Sequence, residues 1–394
     1  MLAGIGHINP IKNLYPSMRI LMLTTNSSLM DGINRHILSV APGLNQRKGV
    51  EVAVCTVMPH AELAGALEQG GVKVYSLFAK SGHDFMIFGR FYKVMRLFRP
   101  DIVHIHVLAL FCRMVLSLCF RHLQFVSTVH GISDEVAHVT GRMRIERLLT
   151  RLFPLTDDAT CVVSDGVREY LYGSQDQSHI FTVYNPIGFP PVSEKPHQLH
   201  SLLHLSDETP IIGTSCRFAQ VKNPRLFTEV MCRVLQLRAD VHAVVMGDGE
   251  PSLKNELYAI VHSYGVEDRF HWLGYRLDAP QLVRDLNCFI LTSTTEGLPT
   301  SLLEAMASQV PFAMMEGMGG LKDIARLNED EGPLGIVVPR GDVDLMVKRV
   351  AALVSDASMQ KALSSRAYQV AQHHFEVGSI CTQLHSIYKE ILPS

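Results

Sequence analysis

The eight cysteines of this 394-residue chain include no C-x-x-C pair, and there is a single tryptophan. Scattered cysteines argue against a disulfide framework or a zinc ribbon and fit a reducing compartment, where they serve as small core residues. Long apolar runs are also missing. The longest candidate, Leu108–Val126, is broken by Arg113, Arg121 and His122, short of the roughly 18 uncharged residues a spanning helix needs. Residues 1–17 lack the apolar stretch of a signal peptide. There is no excess of one charge: 36 basic and 38 acidic side chains leave a net −2, which gives nucleic acid no electrostatic footprint. Nor is there a complete G-x-G-x-x-G. Gly247-Asp248-Gly249 is followed by Ser252 where the third glycine belongs, and Thr24–Asn34 holds only Gly32, so a dinucleotide enzyme is disfavoured.

The apolar fraction of 47% against 19% charged residues is that of a packed chain, with length for two large domains. Short Val/Ile-rich runs alternate with helical periods. Strands are predicted at Ile20–Thr25, Val50–Val57, Val72–Leu77, Asp101–Val107, Phe125–His130, Asp158–Val163 and Ile180–Tyr184, and helices at Ile33–Gln46, Ala61–Gln69 and Phe85–Phe98. Continuous rather than alternating apolar strands imply sheets covered on both faces, hence a parallel α/β fold. Prolines 186, 190, 191 and 196 then mark a boundary. Beyond it the alternation restarts with strands at Ile211–Thr214, His242–Met246, Phe270–Trp272, Cys288–Leu291 and Ile336–Val338. Helices are expected at Pro224–Gln236, Ser252–Tyr264, Thr300–Ser308 and Asp344–Ser355, with a final helical segment over Lys361–Leu392. The division is therefore a leader 1–17, a first domain 18–190 and a second 197–370, followed by a tail 371–394. The leader is either a disordered arm or sequence upstream of a natural start at Met18. Two doubly wound domains facing each other leave a cleft at the carboxyl ends of their strands.

The richest stretch is Thr294-Thr295-Glu296-Gly297-Leu298-Pro299-Thr300-Ser301-Leu302-Leu303-Glu304. Gly297 and Pro299 feed a helix N-terminus, whose backbone N–H groups and dipole suit a phosphate. Glu296 and Glu304 can border one ligand, and a carboxylate readily accepts from a sugar diol. On spacing alone, Ser301-x-x-Glu304 also reads as a capping box. Arg217 and Lys222 both fall on the connection after a strand, placed to neutralise a pyrophosphate without a metal. His104, His106 and His130 stand at strand ends. No third ligand lies near His104 and His106, so cleft-lining histidines with satisfied hydrogen bonds are expected in place of a metal pair. The first half is basic, with 19 basic and 15 acidic residues over 1–195 against 17 and 23 over 196–394. Arg90, Lys93, Arg96 and Arg99 recur every three residues on an apolar helix, and the segment Arg142–Arg151 adds four arginines. Such a surface suits an anionic membrane or a lipid pyrophosphate, or is simply a solvated basic face.

With these residues in place, the chain resembles the retaining glycosyltransferases of family four, of GT-B architecture, from Met18 to its C-terminus. The resemblance rests on Glu296-x7-Glu304 and, in order, on Pro100–His106, Thr128–Gly131, Val163-Ser164, Tyr184-Asn185-Pro186, Cys216–Phe218 with Lys222-Asn223, Met246–Gly249 and Leu273-Gly274. It implies that Arg217 and Lys222 hold the donor diphosphate and that Glu304 holds the ribose. Glu296 would lie by the sugar ring, with the backbone of Gly297, Leu298, Pro299 and Thr300 against sugar and phosphate. His130 would lie by the reacting sugar, and Gly32 would close over the phosphate from the first domain. The donor would be a UDP- or GDP-sugar, with no further cofactor and no metal. The acceptor would be a lipid-linked glycan of bacterial surface polysaccharide synthesis, at the inner face of the cytoplasmic membrane, and the final helix would cross back to the first domain.

Three positions depart from the family's pattern: the first glycine-rich turn is reduced to Asp31-Gly32, Ser308-Gln309 replaces a usual glycine, and Asp323 stands where glutamate is common. A nucleotide-sugar epimerase of the same fold and a non-catalytic nucleotide-sugar-binding subunit are the alternatives. The second is weakened by the presence of Glu296, Glu304, Arg217 and Lys222 together.

Overall fold

The computed structural model describes residues 18–25, 32–59, 61–79, 86–106, 120, 123–132, 157–173, 177–190, 196–327 and 332–393. The leader 1–17, Asp31, the basic segment Arg142–Arg151, Cys112 and Cys119 lie outside them.

The first sheet comprises β1 (Met18–Thr24), β2 (Val50–Thr56), β3 (Lys73–Ser76), β4 (Ile102–Ile105), β5 (Gln124–Val129), β6 (Ala159–Val162) and β7 (Ile180–Thr182), in the order β3-β2-β1-β4-β5-β6-β7. The second half holds β8 (Ile211–Ser215), β9 (His242–Met246), β10 (Phe270–Gly274), β11 (Cys288–Leu291), β12 (Thr295–Glu296), β13 (Phe312–Met315), β14 (Met318–Gly319) and β15 (Ile336–Val338). Its main sheet runs β10-β9-β8-β11-β13-β15, with β12 and β14 paired apart. All neighbouring strands pair parallel, with Ile20 opposite Ile102 and Ile212 opposite Cys288.

Burial explains why these strands read as continuous apolar runs. Ile20 and Met22 enter one core of the first sheet, while Leu21 and Leu23 enter the core on its other face. Val245 and Val244 divide in the same way in the second sheet. Strand order reverses between β1 and β4 and again between β8 and β11, and ligands of open α/β sheets bind at the carboxyl ends beside such reversals.

Several elements were not legible in the sequence: the strand Phe312–Met315 and the helices Asp165–Tyr172, Gln198–Leu203 and Gly320–Arg326. Each is short, and the last opens on two glycines. The expected single helix at the C-terminus is two, Ala357–Phe375 and Val377–Ile391, broken at Glu376. Glu376 takes an extended ψ of 134°, and its carboxylate accepts from Ser379 N at 2.8 Å to cap the second helix. The break is where the chain changes halves. Ala367, Val370, Ala371 and Phe375 belong to a second-half core, whereas Cys381, Leu384, Ile387 and Tyr388 complete a first-half core. The sequence-based division at 371 thus falls inside a helix. The approach of the last helix to Gly32–Asn45 is close: a Cβ on Gly43 would lie 2.8 Å from Cys381 Sγ. Gln309, where the resemblance leads one to expect glycine, takes a φ of 55°, the left-handed conformation glycine adopts most readily after a helix.

Candidate active site

The loops after β8 and β11 meet at the second reversal point. After β8 come Arg217, which is exposed, and the single turn Gln220–Lys222, followed by Asn223 at a left-handed φ of 50°. The turn is tied to the β11 loop: the Thr292 hydroxyl donates to the carbonyls of Lys222 (3.1 Å) and Asn223 (3.2 Å), and Thr294 N donates to Val221 O at 2.8 Å. This clamp places Lys222 Nζ 2.6 and 2.7 Å from the two carboxylate oxygens of Glu296, which is only 9% exposed. Their separation of 74 positions in the chain hides this pairing from any local pattern.

The next residue, Gly297, is threaded between the two halves. A Cβ there would lie 1.9 Å from His130 O, and a Cβ on Gly319 would lie 2.0 Å from Glu296 O. Glycine at 297 is therefore a requirement of backbone contact across the cleft. Behind the loop, the Asp323 carboxylate accepts from Asp165 N (2.7 Å) and Gly166 N (2.8 Å), so a second-half side chain caps a first-half helix. Burial pushes the Asp323 carboxyl above its ordinary range, and these N–H groups pull it partly back.

The capping-box reading of Ser301 and Glu304 does not hold. The helix Thr300–Ala307 begins after Pro299, no side chain caps it, and Ser301 lies inside its first turn. Glu304 instead reaches across the cleft to Arg35 on the helix Gly32–Asn45, forming an ion pair and hydrogen bond. Burial pushes the Glu304 carboxyl up, and the guanidinium opposes the shift. The two helix N-termini face each other, with Thr300 Oγ1 3.9 Å from where a Cβ on Gly32 would stand.

The histidines divide differently from the sequence expectation. His104 does not line the cleft: it is fully buried, with Nδ1 2.6 Å from the Tyr388 hydroxyl and Nε2 2.7 Å from Thr128 Oγ1. His106 is also buried, with Nδ1 3.0 Å from His130 Nε2, and its Nε2 has no hydrogen-bond partner among the described residues. Only His130 of the three lines the cleft. A fourth imidazole, His36, completes the cluster, its ring 5.4 Å from His106 and 5.1 Å from His130. Its Nδ1 lies 3.1 Å from Asn185 Oδ1, while Asn185 Nδ2 donates to Leu298 O at 3.4 Å. Because a carbonyl can only accept, Oδ1 faces the ring and His36 carries its proton on Nδ1. Burial holds His36 at about 4 and His104 at about 3, and holds His106 and His130 well below the ordinary range, so all four are neutral at pH 7. Among the described residues no group of three His, Cys, Asp or Glu side chains is arranged to hold a metal ion.

These elements enclose a cleft of about 790 Å³. Of the residues singled out in the sequence, Gly32, His130, Arg217, Lys222, Glu296, Gly297, Leu298 and Thr300 line it, and Pro299 and Glu304 are not among its lining residues. Arg35, Asn185 and Arg276 also line it and were not singled out as site residues. Arg276 follows β10 and is held by Asp278 at 2.7 and 2.8 Å. The arrangement presents cations, a shielded carboxylate and an uncapped helix N-terminus to one ligand, a combination suited to a phosphorylated sugar.

Two family models match the chain, one described as Glycosyltransferase Family 4 over residues 30–188 and one as Glycosyl transferases group 1 over residues 200–370. The N-acetyl-alpha-D-glucosaminyl L-malate synthase of Bacillus anthracis is 22% identical over 325 residues, covering 82% of this chain and 83% of that protein. An Escherichia coli UDP-Gal:alpha-D-GlcNAc-diphosphoundecaprenol alpha-1,3-galactosyltransferase is 25% identical over 287 residues, 67% of this chain and 69% of its own. The solved structure of Anabaena HepE with UDP and glucose superimposes with a TM-score of 0.78 at 18% identity, covering 95% of this chain and all of that one.

Proposed function

The chain belongs to the family-four glycosyltransferases of GT-B architecture, and from that premise we propose that it moves a hexose-type sugar from a UDP- or GDP-sugar onto a lipid-linked glycan, with retention at the anomeric carbon. The observation that carries the reading is the convergence of Arg217, Lys222 and Glu296 with the N-terminus of Thr300–Ala307 at one strand-order reversal. In this reading the donor lies against the second half. Arg217 and Lys222 take up the charge that develops on the departing diphosphate, and the helix N-terminus adds its dipole. The acceptor hydroxyl attacks on the face the diphosphate leaves, through an oxocarbenium-like transition state, and the departing phosphate takes the proton. Glu304 accepts from the ribose hydroxyls, which requires sharing or releasing Arg35. His130, being neutral, offers a hydrogen bond and no charge to the sugar.

Thermal unfolding with millimolar UDP, GDP or NAD tests the donor site. Saturation at about a hundred times the dissociation constant adds roughly 2.7 kcal/mol. Stabilisation by UDP or GDP alone is expected and identifies the base; stabilisation by NAD alone refutes the reading.

A peripheral membrane contact belongs to the same proposal. It is supported by the acceptor chemistry of the Escherichia coli relative and by the helix Ile87–Phe98. Arg90 turns inward there and donates to the carbonyls of Leu77 and Phe78, but Lys93, Arg96 and Arg99 are exposed beside exposed Tyr92, Leu97 and Met86. Among the described residues no helix is long and apolar enough to cross a membrane. At about 1 kcal/mol per cation, removing Lys93 and Arg96 as alanines is expected to weaken binding to phosphatidylglycerol vesicles about 30-fold. Co-sedimentation that is unchanged in the variant, or equal on neutral vesicles, removes this surface from the proposal.

A further inference from the structure

The buried cluster behind His130 is expensive to keep. Four neutral imidazoles are packed together, and the Nε2 atoms of both His36 and His106 lack hydrogen-bond partners among the described residues. A buried polar atom left unpaired lowers stability, and an apolar side chain at the same position avoids that loss. His106 is 4% exposed, so a leucine there would serve folding at least as well. The one hydrogen bond its ring makes among the described residues joins Nδ1 to Nε2 of His130, the histidine that lines the cleft.

We propose that His106 is a positioning residue: its unpartnered Nε2 favours the proton on Nδ1, which donates to Nε2 of His130, fixes that ring's plane and leaves the His130 proton on Nδ1 to donate to a hydroxyl of the bound sugar. The proposal rests on the reading of the cleft as a sugar-transfer site. His106 reaches no ligand itself, since it stands behind His130, with His104 stacked on its other side at 4.2 Å. A fixed tautomer matters because a neutral imidazole has one donor and one acceptor. A ring free to exchange them presents the wrong partner to the sugar part of the time.

The test uses the whole chain labelled with 15N-histidine, with the His130 signals assigned through His130→Asn, and turnover read as nucleotide release from UDP- and GDP-sugars. In the native protein His130 is expected in a single neutral tautomer. His106→Leu is expected to give a mixture and to lower kcat 10- to 100-fold while UDP or GDP affinity stays within twofold. His106→Asn, whose amide falls where Nδ1 stood, is expected to restore both; His106→Gln, whose amide falls nearer Nε2, is not. The Asn and Gln pair decides the matter if the leucine variant does not fold. A single unchanged tautomer in His106→Leu, or equal behaviour of Asn and Gln, overturns the proposal. A tautomer change in a protein that releases no nucleotide from any donor leaves the positioning role standing and removes the sugar-transfer reading instead.

Discussion

Lys222→Ala is expected to lower turnover by a factor of about 10² to 10³, the usual loss when one preorganised group that meets developing charge is removed. Arg217→Ala is expected to do the same. The two differ in what else they disturb. Arg217 is exposed, so its removal should leave stability nearly unchanged. Lys222 is held on both oxygens of Glu296, a carboxylate with little solvent, and removing it strands that charge. Breaking a fully buried pair costs about 3–5 kcal/mol; with the lysine 23% exposed, the loss here should fall below that range. The double variant Lys222→Ala with Glu296→Gln separates the effects: it should regain stability and remain slow. Turnover measured as nucleotide release, alongside urea unfolding of each variant, checks both. Near-native turnover in either single variant would exclude that cation from leaving-group stabilisation.

The parts of the site legible in the sequence were those written in one short segment. Glu296 through Thr300 occupy a single loop and helix start, and Arg217 and Lys222 share one connection, so strand-end logic places them without a structure. Arg35 was missed because its partner Glu304 is 269 residues away, and at the start of a helix an arginine reads as a solvated cation. The capping-box spacing of Ser301 and Glu304 was misleading for the same reason: local spacing describes what a side chain can do, and the facing half of the molecule decides what it does. Asp323 shows this again, since its cap belongs to a helix 157 residues earlier. The two-sheet fold was legible because the Val/Ile runs reflect burial on both faces, a property each strand carries by itself. The histidine cluster was not, because strand alternation places His104 and His106 on one face but cannot show that the last helix covers His104 with Tyr388.

That cluster makes the fold sensitive to acid. Free histidine side chains titrate near 6.5, whereas burial holds His36 at about 4 and His104 at about 3. Between those values the unfolded chain binds protons that the folded chain refuses. The stability these groups confer is therefore complete above pH 6.5 and is lost as pH falls through 6.5 toward 4. At pH 5 each of the two has lost about 2 kcal/mol relative to pH 7, roughly 4 kcal/mol together. His106 and His130 act in the same direction. The Glu304 and Asp323 carboxyls act oppositely: burial raises them, so the folded state gains protons on acidification and recovers stability. Two carboxyls whose shifts are partly cancelled by Arg35 and by backbone N–H groups do not outweigh four desolvated imidazoles. Against a typical total of 5–15 kcal/mol, urea unfolding at pH 7, 6 and 5 should show a steep loss, with unfolding near pH 5 at modest urea. His104→Gln, which removes one titrating ring, should make the slope shallower by close to one proton. A free energy that stays flat from pH 7 to pH 5 would mean that water or a counter-charge reaches these rings in the folded state. His130 would then be free to carry charge at the sugar, contrary to the neutral role assigned to it.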